Sequence, residues 1–332
     1  MMSMRRRPET GMTKLIIQIP CFNEEQTLPI TLRDLPSKIS GIDIIETLVV
    51  NDGSTDGTVK AARAGGVDHI IDLPRNRGLA NAFITGLDAC LGSGADIIVN
   101  TDADNQYDGR DIEALVRPIL EGRADIVVGA RPIDDIAHFS AAKKLLQKLG
   151  SWAVRAASGT DVPDAPSGFR AISRDAAMRL NVFSTHTYTL ETIIQAGQKG
   201  IPITSVPVRV NPDLRPSRLI KSIPSYVLRS VFIILRIFMV YRPLRFFLLL
   251  GGVPFLLGVF LGARWFVLAY FFPDPGRTYL PSLILAAVLM LTGVQTWFFG
   301  LIADLKAVNR TLLEEIRLRQ RRADLERRTG GP

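Results

Sequence analysis

Two apolar stretches near the C-terminal end, residues 244–272 and 280–303, constrain what this 332-residue chain can fold into more than any other feature. The first is almost continuously apolar, with Arg264 in its interior, and the second carries no charge; no acidic residue lies between Asp213 and Asp274. A bilayer offers no water to backbone amides, so a spanning segment must close its hydrogen bonds within itself. About 20 helical residues then cross a hydrocarbon core of about 30 Å, and both stretches meet that length. A pair of buried core helices is the alternative, but such helices are shorter and seldom come as a C-terminal pair. With 47% hydrophobic residues, the chain can fill one large globular core and still leave these runs over. The linker that opens with Pro273-Asp274-Pro275-Gly276 reads as a tight polar turn, so the two spans form a hairpin whose flanks face one side.

Charge chooses the side. Arg215, Arg218, Lys221, Arg229, Arg236 and Arg242 precede the first span and Arg245 stands at its start, and Lys306, Arg310, Arg317, Arg319, Arg321, Arg322, Arg327 and Arg328 follow the second, against Arg277 alone in the turn. The positive-inside rule then puts residues 14–215 and the basic tail, 304–332, on the cytoplasmic face of the cell membrane. The net charge of +8 is concentrated at these flanks, which suits anionic lipid headgroups and argues against nucleic acid as a partner. Residues 1–13 are basic but lead into no apolar run, so they are expected to be a flexible start and not a secretory signal. Cys21 and Cys90 are too few for a disulfide framework, and His69, His138 and His186 share no metal-ligand spacing. In residues 216–243, Ser222, Arg229 and Arg236 recur every seventh position on an apolar surface, as in a helix lying in the membrane interface. The tail has a weak apolar stripe (Leu305, Val308, Leu312, Ile316), open to pairing with a neighbour or to solvation.

Between residues 14 and 210, short β-rich runs alternate with helical patterns, the mark of an α/β fold with a mostly parallel sheet and helices on both faces. The runs are 15–19, 44–50, 69–71, 96–100, 125–129 and 203–208; helical periodicity covers 25–35, 58–64, 79–91 and 111–121. The fourth run is followed at once by Asp102-Ala103-Asp104-Asn105-Gln106. A strand that delivers two carboxylates and an amide from its carboxyl end into a crevice offers hard oxygen ligands to Mg2+ or Mn2+, and with them a place for a diphosphate. An Asx-rich turn closing the strand is the plainer reading. The first strand ends in Pro20-Cys21-Phe22-Asn23-Glu24-Glu25 and the second in Asn51-Asp52-Gly53-Ser54-Thr55-Asp56-Gly57-Thr58, where Asp56 or Ser54 can cap the next helix. Neither a G-x-G-x-x-G loop after the first strand nor a Walker-type glycine loop occurs, so dinucleotide and P-loop readings lack their phosphate cradles.

Six motifs then stand in a telling order. Ile19-Pro20-Cys21-Phe22-Asn23-Glu24, the segment 50–58, Asn76-Arg77-Gly78, Asp102-Ala103-Asp104-Asn105-Gln106, Gly129-Ala130-Arg131 and Ser167-Gly168-Phe169-Arg170 follow one another as in family 2 glycosyltransferases. The chain resembles the branch that includes dolichyl-phosphate mannose synthase and bacterial polyprenyl-phosphate glucosyltransferases, over roughly residues 14–305. The resemblance implies a GT-A fold with Pro20, Asn23, Glu24, Asp52, Asp56, Asn76 and Gly78 at the nucleotide sugar, Asp52 accepting from the base edge. By the same resemblance Asp102 lies beside nucleoside and sugar, Asp104 and Gln106 bind the metal, and Arg131 is close to the phosphates. Ser167 and Arg170 would shape the acceptor side, and a homotetramer is implied. Asn105 stands where leucine is commoner, and Tyr107-Asp108-Gly109 replaces the usual prolines; the metal donors themselves are kept.

A polyprenyl phosphate acceptor, such as undecaprenyl or dolichyl phosphate, alters the chemistry expected. With a second pKa of about 6, a phosphate monoester is largely anionic at neutral pH, so no general base has to strip a proton from the nucleophile. The acceptor needs cations instead, and Arg215, Arg218 and Lys221 stand where a lipid headgroup would arrive. UDP-glucose, another UDP-hexose and GDP-mannose are all compatible donors, with a UDP-hexose ahead by analogy. A processive synthase would carry Gln-x-x-Arg-Trp before its spans, and Trp152, Trp265 and Trp297 lack that context. A silent binding module would have no use for complete acidic motifs, and a nucleotidyltransferase would need a glycine-rich triphosphate loop.

Overall fold

The computed structural model describes residues 11–132, 141–182, 188–212, 232, 235–236, 238–272 and 280–329. The greater part of the expected interfacial helix, the turn between the spans, and Arg215, Arg218 and Lys221 lie outside the described residues. The chain divides into two compact units: Met1–Ser230 with Ile316–Pro332, and Val231–Glu315.

The first unit is built on a seven-stranded sheet in the order β3-β2-β1-β4-β6-β5-β7. β1 (Lys14–Cys21), β2 (Ile44–Asn51), β3 (His69–Asp72) and β4 (Ile97–Asn100) run parallel, as do β5 (Ile126–Ala130) and β7 (Ile203–Pro207). β6 (Arg170–Ser173) is antiparallel to both β4 and β5. Strand alternation sends Leu15, Ile17, Ile19, Val49, Ile97 and Val99 into a core closed by α1 (Leu28–Asp34) and α4 (Ile112–Leu120), with Leu28, Ile112, Leu115, Val116 and Ile119. α2 (Thr58–Ala64) follows β2, and α3 (Leu79–Gly92) packs on β1 and β2 through buried Phe83, Leu87 and Cys90. α5 (Ala141–Ser158), α6 (Arg174–Arg179) and α7 (Thr189–Gln198) complete the helical cover.

The strand order reverses between β1 and β4, so the chain leaves the carboxyl ends of these neighbours in different directions and opens a crevice there. In register Gln18 faces Asn100 and Cys21 faces Asn51, which brings the ends of β1, β2 and β4 to one rim.

The C-terminal helix α9 (Leu280–Thr329) is continuous from the second apolar run into the tail. Its last part belongs to the sheet unit. Arg321 donates to the carbonyls of Met178 and Leu180, the latter at 2.9 Å, and pairs with Asp88 at 2.9 Å. Arg322 pairs with Asp175 at 3.3 Å. Through these two arginines the last part of the tail rests on the sheet unit, while its apolar stripe of Leu305, Val308, Leu312 and Ile316 is exposed and as compatible with pairing with a neighbour as with solvation. The reason is local: a guanidinium satisfies carbonyls left open at the end of α6.

The second unit holds α8 (Pro243–Phe271) and the apolar part of α9, both long and apolar enough to cross a membrane. Gly251 lies against Gly293 and Trp297, Gly258 against Ala286 and Met290, and Gly300 against Phe247. Partners fall in number along α9 as they rise along α8, so the helices pack antiparallel, as the hairpin reading requires. The Trp297 indole N–H donates to the Leu248 carbonyl at 3.1 Å.

Candidate active site at the carboxyl end of the sheet

The four residues of β4 are fully buried, and the chain then turns through Asp102 and Asp104, both half-buried, with Ala103 buried between them. The Gln106 N–H donates to the Asp104 carboxylate at 3.2 Å, and the Thr31 hydroxyl of α1 holds the Ala103 carbonyl at 3.0 Å. Asn105 has φ 56°, a left-handed conformation that asparagine tolerates and a leucine resists, so the departure from the commoner motif matches the local backbone. Burial, with the Asp104 carboxylate next, pushes the Asp102 pKa up to about 7 against the pull of Arg131 and Arg170. Gly168 lies against this carboxylate: a Cβ there would come within 3.0 Å of Asp102 Oδ2 and 2.9 Å of the Tyr188 hydroxyl.

Arg131, just past β5, stands beside the acidic pair. Its guanidinium meets Asp164 in a two-pronged pair, Nε to Oδ2 at 2.7 Å and Nη2 to Oδ1 at 3.0 Å, and its Nη1 donates to Gln106 Oε1 at 3.4 Å. Although burial works against the charge, Tyr107, Asp164 and Asp102 hold its pKa above the usual value, so a fixed cation faces the crevice loop.

The nucleotide-side expectations fall on a connected wall of loops. Pro20 is buried at the end of β1. Asn23, at φ 55°, donates through its main-chain N–H to the Ser54 hydroxyl at 2.9 Å and accepts from Thr55 N–H at 2.8 Å. Glu24 N–H donates to the Thr58 hydroxyl at 2.9 Å and its carboxylate accepts from Thr27 at 2.6 Å. Asp56 is exposed and ties the same two loops, accepting from Thr58 N–H at 3.0 Å and Glu25 N–H at 3.2 Å. Asp52 is buried, with its two oxygens accepting from the main-chain N–H groups of Arg77 and Gly78, each at 2.8 Å. It therefore anchors the loop that carries exposed Asn76, and its remaining lone pairs are what it has for a base edge. Gly53 makes that packing possible, since a Cβ there would lie 2.4 Å from the Arg75 carbonyl carbon.

The two acceptor-side expectations, Ser167 and Arg170, fall on buried residues. Arg170 is fully buried: Nε donates to the Ser167 carbonyl at 2.8 Å, Nη1 to the Thr189 carbonyl at 2.8 Å and the Thr192 hydroxyl at 2.5 Å, and Nη2 to the Ala165 carbonyl at 2.8 Å. Burial draws its pKa down to about 10. Its guanidinium is engaged with three carbonyls and a hydroxyl, so any part it has in shaping the acceptor side is through the loop it braces. Ser167 is likewise fully buried in the same loop.

Sequence reasoning missed Asp164 and a buried polar chain behind Asp102. Gln18 Nε2 donates to Asn100 Oδ1 at 2.9 Å, and Asn100 Nδ2 donates to the Tyr188 hydroxyl and the Gly168 carbonyl, each at 2.9 Å. Tyr188 in turn stacks on Phe83 at 3.9 Å between ring centroids. A polar residue in each of two adjacent buried strands was the one available signal.

Among the described residues no three His, Cys, Asp or Glu side chains converge as a metal cage. Two carboxylates and an amide oxygen are nevertheless the hard, partial donor set that suits a cation delivered with phosphates, since Mg2+ commonly takes one or two carboxylates and completes its shell from substrate and water.

A mostly parallel sheet with an acidic pair at its switch point and a fixed guanidinium beside it is the GT-A layout of a sugar-transferring enzyme. The pattern of glycosyl transferase family 2 matches residues 16–180, and the chain belongs to that family. It is 28% identical over 206 residues to undecaprenyl-phosphate mannosyltransferase of Micrococcus luteus, an alignment covering 59% of this chain and 82% of that one. It is 27% identical over 314 residues to dodecaprenyl-phosphate galacturonate synthase of Rhizobium johnstonii, covering 89% and 88%. In fold it resembles glucosyl-3-phosphoglycerate synthase from Mycobacterium tuberculosis, solved with Mn2+, UDP and phosphoglyceric acid, with a TM-score of 0.51, 20% identity, and coverage of 68% and 79%. The protein is a glycosyltransferase.

Proposed function

We propose that this enzyme moves a hexose from a nucleotide diphosphate sugar, a UDP-hexose in first place, to polyprenyl phosphate at the cytoplasmic face of a membrane, with inversion at the anomeric carbon. The observation that carries the reading is the presence in one chain of the Asp102–Asp104 crevice and two helices fit to cross a bilayer. It is supported by relatives named for polyprenyl-phosphate transfer, one of which aligns with 89% of this chain. The UDP and Mn2+ held by the structural neighbour favour a uridine donor and a divalent cation.

Asp104 and Gln106, with Asp102 alongside, would hold Mg2+ or Mn2+, which as a Lewis acid neutralises the departing diphosphate. Asp52 and the loops locked by Asn23, Glu24 and Asp56 present the nucleotide. Arg131, kept charged and oriented by Asp164, offsets negative charge at the diphosphate. An anionic oxygen of the lipid phosphate attacks the anomeric carbon; the new C–O bond forms as the sugar–diphosphate C–O bond breaks, and the nucleoside diphosphate leaves with the bonding pair. No proton has to move. With Arg170 committed to the scaffold, steadying the incoming phosphate falls to Arg215, Arg218 and Lys221.

The test is transfer of labelled sugar into organic-extractable lipid by purified protein given polyprenyl phosphate and UDP-glucose, UDP-N-acetylglucosamine or GDP-mannose, with and without EDTA. Label from a UDP-sugar that EDTA abolishes is the expected result. Label from GDP-mannose alone reassigns the donor, and no lipid label from any donor overturns the reading.

A further inference from the structure

We propose that Asn211 is a positioning residue that holds the cation-binding loop in its working shape; this rests on the reading of Asp104 and Gln106 given above. Asn211 lies a few residues past the end of β7 and holds three consecutive carbonyls of that loop. Its main-chain N–H donates to the Gln106 carbonyl at 2.8 Å, and its Nδ2 donates to the carbonyls of Asn105 at 3.0 Å and Tyr107 at 3.3 Å. An antiparallel bridge between Tyr107 and Val210 sets the two segments side by side.

The loop requires such a hold. It contains Asn105 in the left-handed region, a conformation that a residue with a side chain keeps where its surroundings fix it. Thr31 fixes the Ala103 carbonyl from the α1 side; Asn211 fixes the next carbonyls from the β7 side. Between these anchors sit Asp104 and Gln106. Without the Asn211 amide, two carbonyls lose their donor and the turn between those residues is free to relax, separating the oxygens that would share a cation.

A residue two positions earlier provides the contrast. Arg209 pairs through its side chain with Asp111 at 2.6 Å and with Asp108 at 3.3 Å, bracing the same strand extension without touching the three carbonyls.

The experiment is Mn2+ titration of the full-length protein in detergent with UDP present, followed by electron paramagnetic resonance, on wild type, Asn211→Ala, Asn211→Asp and Arg209→Ala. Asn211→Asp keeps the size and main-chain N–H but turns a carboxylate oxygen toward the carbonyls. Both Asn211 variants are expected to weaken Mn2+ binding by about tenfold or more, the range seen when an outer partner of a metal ligand is lost. Arg209→Ala is expected to stay within about twofold, and hydrogen exchange in Asn211→Ala should rise over residues 103–108 and nowhere else in the sheet unit. Saturating Mn2+ should restore turnover in Asn211→Ala. Mn2+ affinity unchanged in both Asn211 variants, or an equal loss in Arg209→Ala, overturns the positioning role alone. Failure of the wild type to bind Mn2+ with UDP overturns the cation-site reading and this role with it.

Discussion

Asp102 is held at odds with its surroundings. A carboxyl with a folded pKa near 7 and an unfolded one near 4 keeps its proton longer in the folded state. The folded state then binds more protons than the unfolded between about pH 4 and 7, so stability from this group falls as pH rises through that window and stays low above it. In EDTA, Asp102→Asn is therefore expected to melt higher than wild type at pH 8, with the gap closing as pH falls toward 4; a gap independent of pH would contradict the assignment. Gly168 has the complementary role of giving the carboxylate room. Gly168→Ala puts a methyl 3.0 Å from Asp102 and is expected to cut turnover by about tenfold or more through misplacement of the reacting groups, with UDP binding much less affected. Equal turnover in steady-state transfer would show that the close approach is incidental. The acidic motif was legible because it follows an apolar strand with residues that strand propensity does not explain. Asp164 and Tyr188 were not, since each acquires its role only from a tertiary partner distant in sequence, Arg131 and Asn100 respectively. Ser167 and Arg170 were visible as a motif, but their burial was not, since a motif does not display that the arginine turns inward.

At the scale of elements, β1, β2 and β4 were readable from their apolar runs, and their ends delivered the loops as expected. β6 was not. It has four residues, opens with an arginine, and enters antiparallel between β4 and β5, so it carries neither the length nor the βα alternation that marks the other strands. The tail, residues 304–332, was expected as a separate element, whereas α9 runs through without interruption from the second apolar run because no proline or glycine follows that run before Gly330. The seam between α8 and α9 yields a paired test. Gly251 has no space for a side chain, with the Gly293 carbonyl 2.7 Å from where a Cβ would be, while Gly252 has nothing within 4 Å. Gly251→Leu is expected to lower the melting temperature in detergent by several degrees, and Gly252→Leu to leave it unchanged. Equal effects would mean that the glycine seam does not hold the helices together.

For the whole molecule, a sugar-transfer fold and two helices long and apolar enough to cross a membrane occur in a single chain, and the proposed lipid phosphate substrate would explain both. That acceptor brings its own negative charge, so the enzyme has to supply cations and a leaving-group site and can dispense with a base for the nucleophile. An alcohol of the same hydrocarbon length offers the same apolar contacts but a proton that something must remove. The most direct measurement compares purified protein transferring labelled hexose from its preferred donor to polyprenyl phosphate and to the corresponding polyprenol, in the same detergent with the cation present. Transfer to the phosphate alone is the predicted result; comparable transfer to the alcohol would contradict the account, by showing that the site deprotonates a hydroxyl and does not depend on a phosphate nucleophile.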